Sequence, residues 1–199
     1  IQEFDAKGEL AGSLALAIPL DENDVSVKAE FAIQRGHLVM PRLDLSLSDI
    51  EGQFNLDSDH GVDAKAVTAR FLNSPFIIDI QANRNKDSVP DSLIQFDGNI
   101  SAETLKSWRN SPWFSYVDGE TTLAGEIFIQ GGSGGAKHGS YLKLVSSLDG
   151  LAINLPAPIG KSARAKRKLS VKLDLNERQK NALVSYGHDL AVAATLDSE

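Results

Sequence analysis

The chain has 199 residues, a length that suits one domain or one continuous piece of a larger one. Hydrophobic residues make up 42% and charged residues 24%, ordinary globular usage that excludes wholesale disorder. Its 20 Lys and Arg against 27 Asp and Glu leave a net charge of -7, which disfavours a general nucleic-acid-binding surface, and the absence of Cys excludes disulfide scaffolds, thiol catalysis and Cys-based zinc sites. No apolar run approaches the roughly 20 residues that span a bilayer. The chain also starts at Ile1 in mid-pattern, without Met or a signal-like segment, and reads as an excised fragment.

In chain order, strand candidates run over Leu10–Ile18, Val25–Ile33, Leu38–Leu47, Gln53–Leu56, Val62–Arg70, Phe76–Ala82 and Leu93–Ile100. The second half adds Thr121–Gln130, Tyr141–Ser146, Leu151–Leu155, Leu169–Leu175 and Leu190–Leu196. Period-two alternation is clearest in two of them. Val25, Val27, Ala29, Phe31 and Ile33 point one way, while Ser26, Lys28, Glu30 and Gln34 point the other. Leu169, Val171, Leu173 and Leu175 likewise face opposite Ser170, Lys172, Asp174 and Asn176. Many short alternating segments parted by turn residues predict a mainly β, antiparallel protein. Helix signals are scarce: Ser101 caps a short helix through Trp108, and Asn176–Ser185 reads as a helical turn or a loop. Loops are expected at Asn83–Ser92, Gly131–Ser140 and Ala157–Lys168, the second of them mobile through its Gly131–Gly135 run.

An internal repeat is visible. Leu10–Leu16 matches Leu123–Ile129 as a strand pattern, and Ser48–Gly52 matches Ser146–Gly150, each pentad following a strand. The chain is therefore read as one continuous segment, 1–199, with two related sub-repeats, 1–100 and 101–199; chance likeness of β-rich sequence is the alternative.

Chemistry-bearing patterns are few. His60 follows Asp57-Ser58-Asp59 in a turn, His37 and His138 stand beside glycines in turns, and His188 precedes the last strand without a nucleophile elbow. Asp57, Asp59 and Gly61 miss the spacing of a calcium loop, so no metal is expected. Gly160-Lys161-Ser162 ends like a phosphate-binding loop, but Leu155 stands where the first glycine belongs and a strand follows instead of a helix. No cofactor or catalytic residue is indicated. Lys161, Arg164, Lys166, Arg167 and Lys168 form a basic run, read either as a solvated loop guarding a strand edge or as contacts to anionic lipid headgroups. Trp108, Trp113, Phe114 and Tyr116 form either a sugar-stacking platform or a plug at an open end of a sheet.

Some phrases are more specific than β pattern. Leu151-Ala152-Ile153-Asn154-Leu155-Pro156-Ala157-Pro158-Ile159-Gly160-Lys161 resembles a signature of the YhdP branch of the AsmA-like, TamB-related envelope proteins. Ala17–Leu20, Met40–Leu45 followed by Ile50-Glu51-Gly52, Arg70–Phe76 and the Leu105–Trp108 segment are similar to the same family. The resemblance implies an internal periplasmic segment of a large Gram-negative protein, anchored in the inner membrane by an N-terminal helix that this chain lacks. It implies a strongly curved antiparallel sheet forming an open apolar groove, in which phospholipid acyl chains travel between the inner and outer membranes in support of the outer-membrane barrier. It carries over no enzyme activity. Neighbouring segments of the same chain are then expected partners, and edge strands are expected to self-associate in the isolated piece. Under this reading the groove is lined by Leu14, Leu16, Ile18, Val25, Val27, Phe31, Ile33, Phe76, Ile78, Ile80, Ile127, Ile129, Leu169, Val171 and Leu173. Without the resemblance, the same faces close as a β-sandwich that binds carbohydrate or mediates adhesion, or belong to a scaffold that docks partners by strand addition.

Overall fold

A computed structural model describes residues 5–17, 26–40, 45–83, 90–109, 111–131, 139–175, 179–188 and 190–197. The strands are β1 (Asp5–Ala17), β2 (Ser26–Met40), β3 (Leu45–Asp57), β4 (Gly61–Phe71), β5 (Ser74–Asn83), β6 (Asp91–Ser101), β7 (Val117–Ile129), β8 (Tyr141–Ser146), β9 (Leu151–Ile153), β10 (Leu169–Asp174), β11 (Gln179–Tyr186) and β12 (Leu190–Asp197). Between β6 and β7 lie α1 (Ala102–Trp108) and a 3₁₀ helix, Pro112–Tyr116. The strands join one sheet in sequence order from β1 to β12, with β9 set aside as a partner of β7. A sandwich needs two facing sheets; this order supplies one, open at β1 and β12.

The chain divides into two compact units. The first holds residues 1–71, 77–95 and 127–138; the second holds 72–76, 96–126 and 139–199.

In the first unit the strands are long, 13 residues in β1 and β3 and 15 in β2, beyond the usual strand. Strict alternation over such lengths would turn polar residues onto the apolar side. Three bulges prevent it. Arg35 (φ 51°), Asp49 (φ 50°) and Ala66 (φ 52°) adopt the left-handed conformation at the register shifts of β2, β3 and β4. Each is the extra residue, so the buried side of β4 runs Ala64, Val67, Ala69, Phe71 while Ala66 is expelled to solvent. A side chain in this conformation costs on the order of 1–2 kcal/mol. Polar partners stand beside every bulge: Arg35 pairs with Glu9, Arg70 lies 3.8 Å from Asp49, and the Ala66 amide donates to Asp79 Oδ1 at 2.7 Å. Gly52 sits among them because a Cβ there would approach Val67 Cγ2 to 2.8 Å.

In the second unit α1 is capped as its sequence predicts. Ser101 Oγ accepts from the Thr104 amide at 3.1 Å, and Thr104 Oγ1 lies 2.9 Å from buried Ser74 Oγ, tying the helix to the start of β5. After β9 the chain makes an irregular excursion held by backbone bonds. Ile153 and Lys161 exchange N–H···O bonds of 2.9 and 3.0 Å, and the Gly160 amide donates to Pro156 O at 3.0 Å. Gly160 is obligatory here, since a Cβ would fall 1.7 Å from Leu155 O.

Several expectations need correction. The Leu38–Leu47 candidate is not one strand: its start belongs to β2, its end to β3, and 41–44 lie outside the described residues. Of the Asn176–Ser185 candidate, residues 179–185 belong to strand β11, where a helical turn or loop was expected, because pairing with β10 on one side and β12 on the other satisfies their backbone; 176–178 lie outside the described residues. His37 stands within β2 beside the bulge, its Nε2 3.0 Å from Ser46 Oγ, where a turn was expected. The pentad Ser48–Gly52 lies inside β3 rather than after a strand, its bulge at Asp49 having the look of a turn in sequence. Strand β9 stops at Ile153, before the expected Leu155: the Asn154 amide still donates to Tyr116 O at 2.7 Å, but Tyr116 closes the 3₁₀ helix, so the partner strand goes no further. His138, most of the glycine run and 84–89 lie outside the described residues.

Candidate functional site: the apolar sheet faces and the basic loop

Residues directly opposite on antiparallel strands share a face, so the register sorts side chains into rows. In the first unit one row is Leu14, Ala29, Leu56, Val62 and the next is Gly12, Phe31, Phe54, Ala64. A third joins Leu10, Ile33 and Gly52. All lie on one face. Phe54, Ala64 and Val67 form its buried centre, with Phe31, Ile33, Ile50, Val62, Ile78 and Ile80 packed around them. Phe31 and Phe54 stack at 5.4 Å between ring centroids, 6° from parallel, an arrangement worth about 1 kcal/mol beyond its area. Burial then falls away toward the edge. Leu10 and Leu14 on the same face are 69% and 70% exposed.

The second unit repeats the sorting. Its rows are Leu144, Val171, Val184, Val192 and Leu142, Leu173, Ala182, Ala194, with Ser146, Leu169, Tyr186 and Leu190 in a third. Phe76 lies over Gly98, Phe96 lies over Gly125, and the two rings meet edge to face at 6.1 Å. At the edge Val192 is 61% exposed.

The opposite faces carry the charge. Lys28 lies 3.3 Å from Asp57, whose carboxyl is lowered to about 2, chiefly by the Asp59 amide and then by His60 and Lys28, against some desolvation. Lys143 and Lys172 stand directly opposite one another, a repulsive placement relieved by Glu126, 3.4 Å from Lys143, and by the Tyr141 ring under Lys172. Burial pushes the Tyr141 hydroxyl pKa up, and neighbouring Glu126 adds to it.

Of the expected lining residues, the structure brings Leu14, Phe31 and Ile33 into these rows, Val27 onto the same strand face, and Ile78 and Ile80 against the same cluster. Leu169, Val171 and Leu173 share the face of the second unit, and Phe76 is buried there. Ile127 is half-buried and Ile129 exposed in β7. Ile18 and Val25 lie outside the described residues, and Leu16 is placed only by its backbone, opposite Val27. Phe54, Val62, Val67, Leu144 and Val184 were missed. The phase slip at Ala66 set Val62 and Val67 at opposite parity, and reading β4 with one bulge would have put both on the same side.

The five basic residues do not act together. Lys161 is buried; its ammonium donates to Leu148 O at 2.7 Å and to Leu151 O, and desolvation lowers its pKa. Arg167 donates to Pro158 O and stacks on the Tyr186 ring, whose hydroxyl donates to Ile159 O at 2.5 Å. Lys166 lies 3.2 Å from Asp149. Arg164 and Lys168 are exposed. The run is therefore largely a clasp that folds the Leu-Pro-Ala-Pro loop onto its own strands. Trp113 is also exposed, so the aromatic group does not form a plug around it.

Among the described residues no cluster of His, Cys, Asp or Glu is arranged to hold a metal, and no helix is long and apolar enough to cross a membrane. Non-directional aliphatic rows of this kind suit a hydrocarbon ligand and offer no chemistry for bond-making.

No solved structure matches the chain. The intermembrane phospholipid transporter YhdP of Escherichia coli (strain K12) is 24% identical over 185 residues, covering 88% of this chain and 14% of that protein. The chain thus spans about one seventh of the relative's length. The family model described as YhdP protein matches residues 1–199, so the chain belongs to the YhdP family.

Proposed function

We propose that the apolar face of each unit lines a path for phospholipid acyl chains, as part of one non-catalytic segment of a periplasmic conduit between the inner and outer membranes. The observation that carries this reading is that in the first unit the buried centre of Phe54, Ala64 and Val67 runs out on its own face to exposed Leu10 and Leu14, while in the second unit an apolar row ends at exposed Val192. An acyl chain crossing water exposes methylenes at about 0.8 kcal/mol each, and an aliphatic lining removes that cost without fixing the chain in place. The named activity of the Escherichia coli relative supports the choice of phospholipid. Because the chain spans 14% of that protein, the edges at β1 and β12 are where neighbouring segments of the parent chain would continue the sheet. Arg164 and Lys168 remain the proposed headgroup contacts of the loop.

The test is photocrosslinking in the parent protein in cells. A photoreactive residue at Val27, Phe31 or Val171 should capture phospholipid, while one at Lys28 or Lys172 should not. Equal capture at both parities, or capture at neither, contradicts the proposal.

A further inference from the structure

Where α1 ends and the 3₁₀ helix begins, a cleft of about 420 Å³ is lined by Lys106, Arg109, Ser111, Pro112 and Ser115. Its lining carries two cations. Arg109 caps the helix through its own amide, 3.1 Å from Leu105 O, and its guanidinium lies 5.1 Å over the Trp108 ring. Lys106 is 3.4 Å from Asp118 Oδ1, but Asp118 is shared, because Asn154 Nδ2 donates to its other oxygen at 2.8 Å. Ser115 spends its hydroxyl proton on Pro112 O at 2.6 Å, whereas the Ser111 side chain makes no capping bond.

A 3₁₀ helix repeats every three residues. Pro112 and Ser115 therefore share the edge that lines the cleft, and Trp113 and Tyr116 share the next edge. Trp113 is 69% and Tyr116 44% exposed. A Trp–Tyr pair left in solvent beside a cationic cleft combines two recognition chemistries. Guanidinium and ammonium groups take phosphate oxygens, and amphipathic rings settle at the boundary between polar headgroup and hydrocarbon.

We propose that this cleft binds the phosphodiester of a phospholipid headgroup, with Lys106, Arg109 and Ser111 as donors and the Trp113–Tyr116 edge against the glycerol-ester shoulder of the lipid. The proposal rests on the lipid-carrying function above and adds a place where the headgroup is held. Inorganic phosphate shares the donor chemistry but has nothing for the aromatic edge to touch.

The test is NMR of the indole N–H signals of Trp108 and Trp113 in the 199-residue chain. Dihexanoyl phosphatidylglycerol, kept below its micelle concentration, inorganic phosphate and dihexanoylglycerol are titrated in parallel. The phospholipid should shift both signals saturably, phosphate should bind at least tenfold more weakly, and dihexanoylglycerol should do nothing saturable. Arg109→Gln and Lys106→Gln, each checked for a wild-type circular dichroism spectrum, should weaken the phospholipid at least tenfold, and Arg109→Lys should recover part of it. Equal affinity for inorganic phosphate would make the cleft a free-anion site and overturn the lipid assignment. Equal response to dihexanoylglycerol, no saturable shift, or full affinity in both Gln variants would overturn the cleft altogether. Crosslinking at Val171 separates the two readings. If it persists while the cleft is silent, only this inference fails; if both are lost, the conduit fails with it.

Discussion

In the first unit three neighbouring strands each expel one residue, Arg35, Asp49 and Ala66, to keep a long apolar face in phase. In the second unit the strands facing that task are shorter, six residues in β8 and β10, and they stay in phase without such bulges between them. Irregularity there lies between the strands: Leu72 (φ 53°) and Leu148 (φ 51°) take the left-handed conformation outside the strands, and the Leu151–Lys168 excursion is closed on itself by Gly160 and the buried Lys161. One unit therefore places its irregular residues within the strands, and the other places them in the connections between strands. The lesson is energetic. Distributed bulges should tolerate single changes, while the loop should depend steeply on one or two atoms.

The sharpest way to break that contrast is Gly160→Ala. A methyl group 1.7 Å from Leu155 O cannot be accommodated without opening the loop, and a loss of about 4 kcal/mol is expected, the range of severe strain mutants. Urea unfolding measures it, and a loss below about 1 kcal/mol would show the loop to be soft. Next is Phe54→Ala, which removes the centre of the first unit's cluster and should cost about 3 kcal/mol. Leu14→Ala, on the same face but exposed, should change stability by less than about 0.5 kcal/mol. Similar losses in the two would mean that the face is evenly covered. Lys161→Met keeps the aliphatic stem but leaves the Leu148 and Leu151 carbonyls without their donor, for about 2 kcal/mol.

The smallest effect is a pH dependence. Asp57 has a folded pKa of about 2 against an ordinary 3.8. Its contribution is present above the ordinary value and is lost as pH falls toward 2. Wild type should therefore lose more stability than Asp57→Asn between pH 5 and pH 2, read as the difference between their urea midpoints. Parallel slopes would remove Asp57 from the polar side's charge network.

How much of this was legible in the sequence follows the same division. Alternation in Val27–Ile33 and Leu169–Leu173 assigned faces directly, because a strand side chain has only two directions to take. The Ser101 cap was readable for a similarly local reason: the cap and its bonding partner are three residues apart. What escaped was what depends on partners distant in sequence. Strand β11 opens Gln-Lys-Asn and becomes a strand through two neighbours. The bulges at Asp49 and Ala66 are registered only against an opposing strand. Lys161 looked like one more charge in a basic run; the two carbonyls that bury it come from Leu148 and Leu151 across a turn. The apolar rows themselves were legible, because alternation along one strand needs no partner to be read.

The most direct measurement pairs Val171→Glu with Lys172→Glu in the 199-residue chain, adjacent residues on opposite faces of β10. For each variant, thermal unfolding is recorded and co-purified phospholipid is counted by native mass spectrometry. If the apolar face is an open lipid path, wild type carries lipid, Val171→Glu stays folded and loses it, and Lys172→Glu keeps both fold and lipid. Global unfolding of Val171→Glu, with no lipid recovered from wild type, would instead mean that the face is a closed, dry core and would contradict the account.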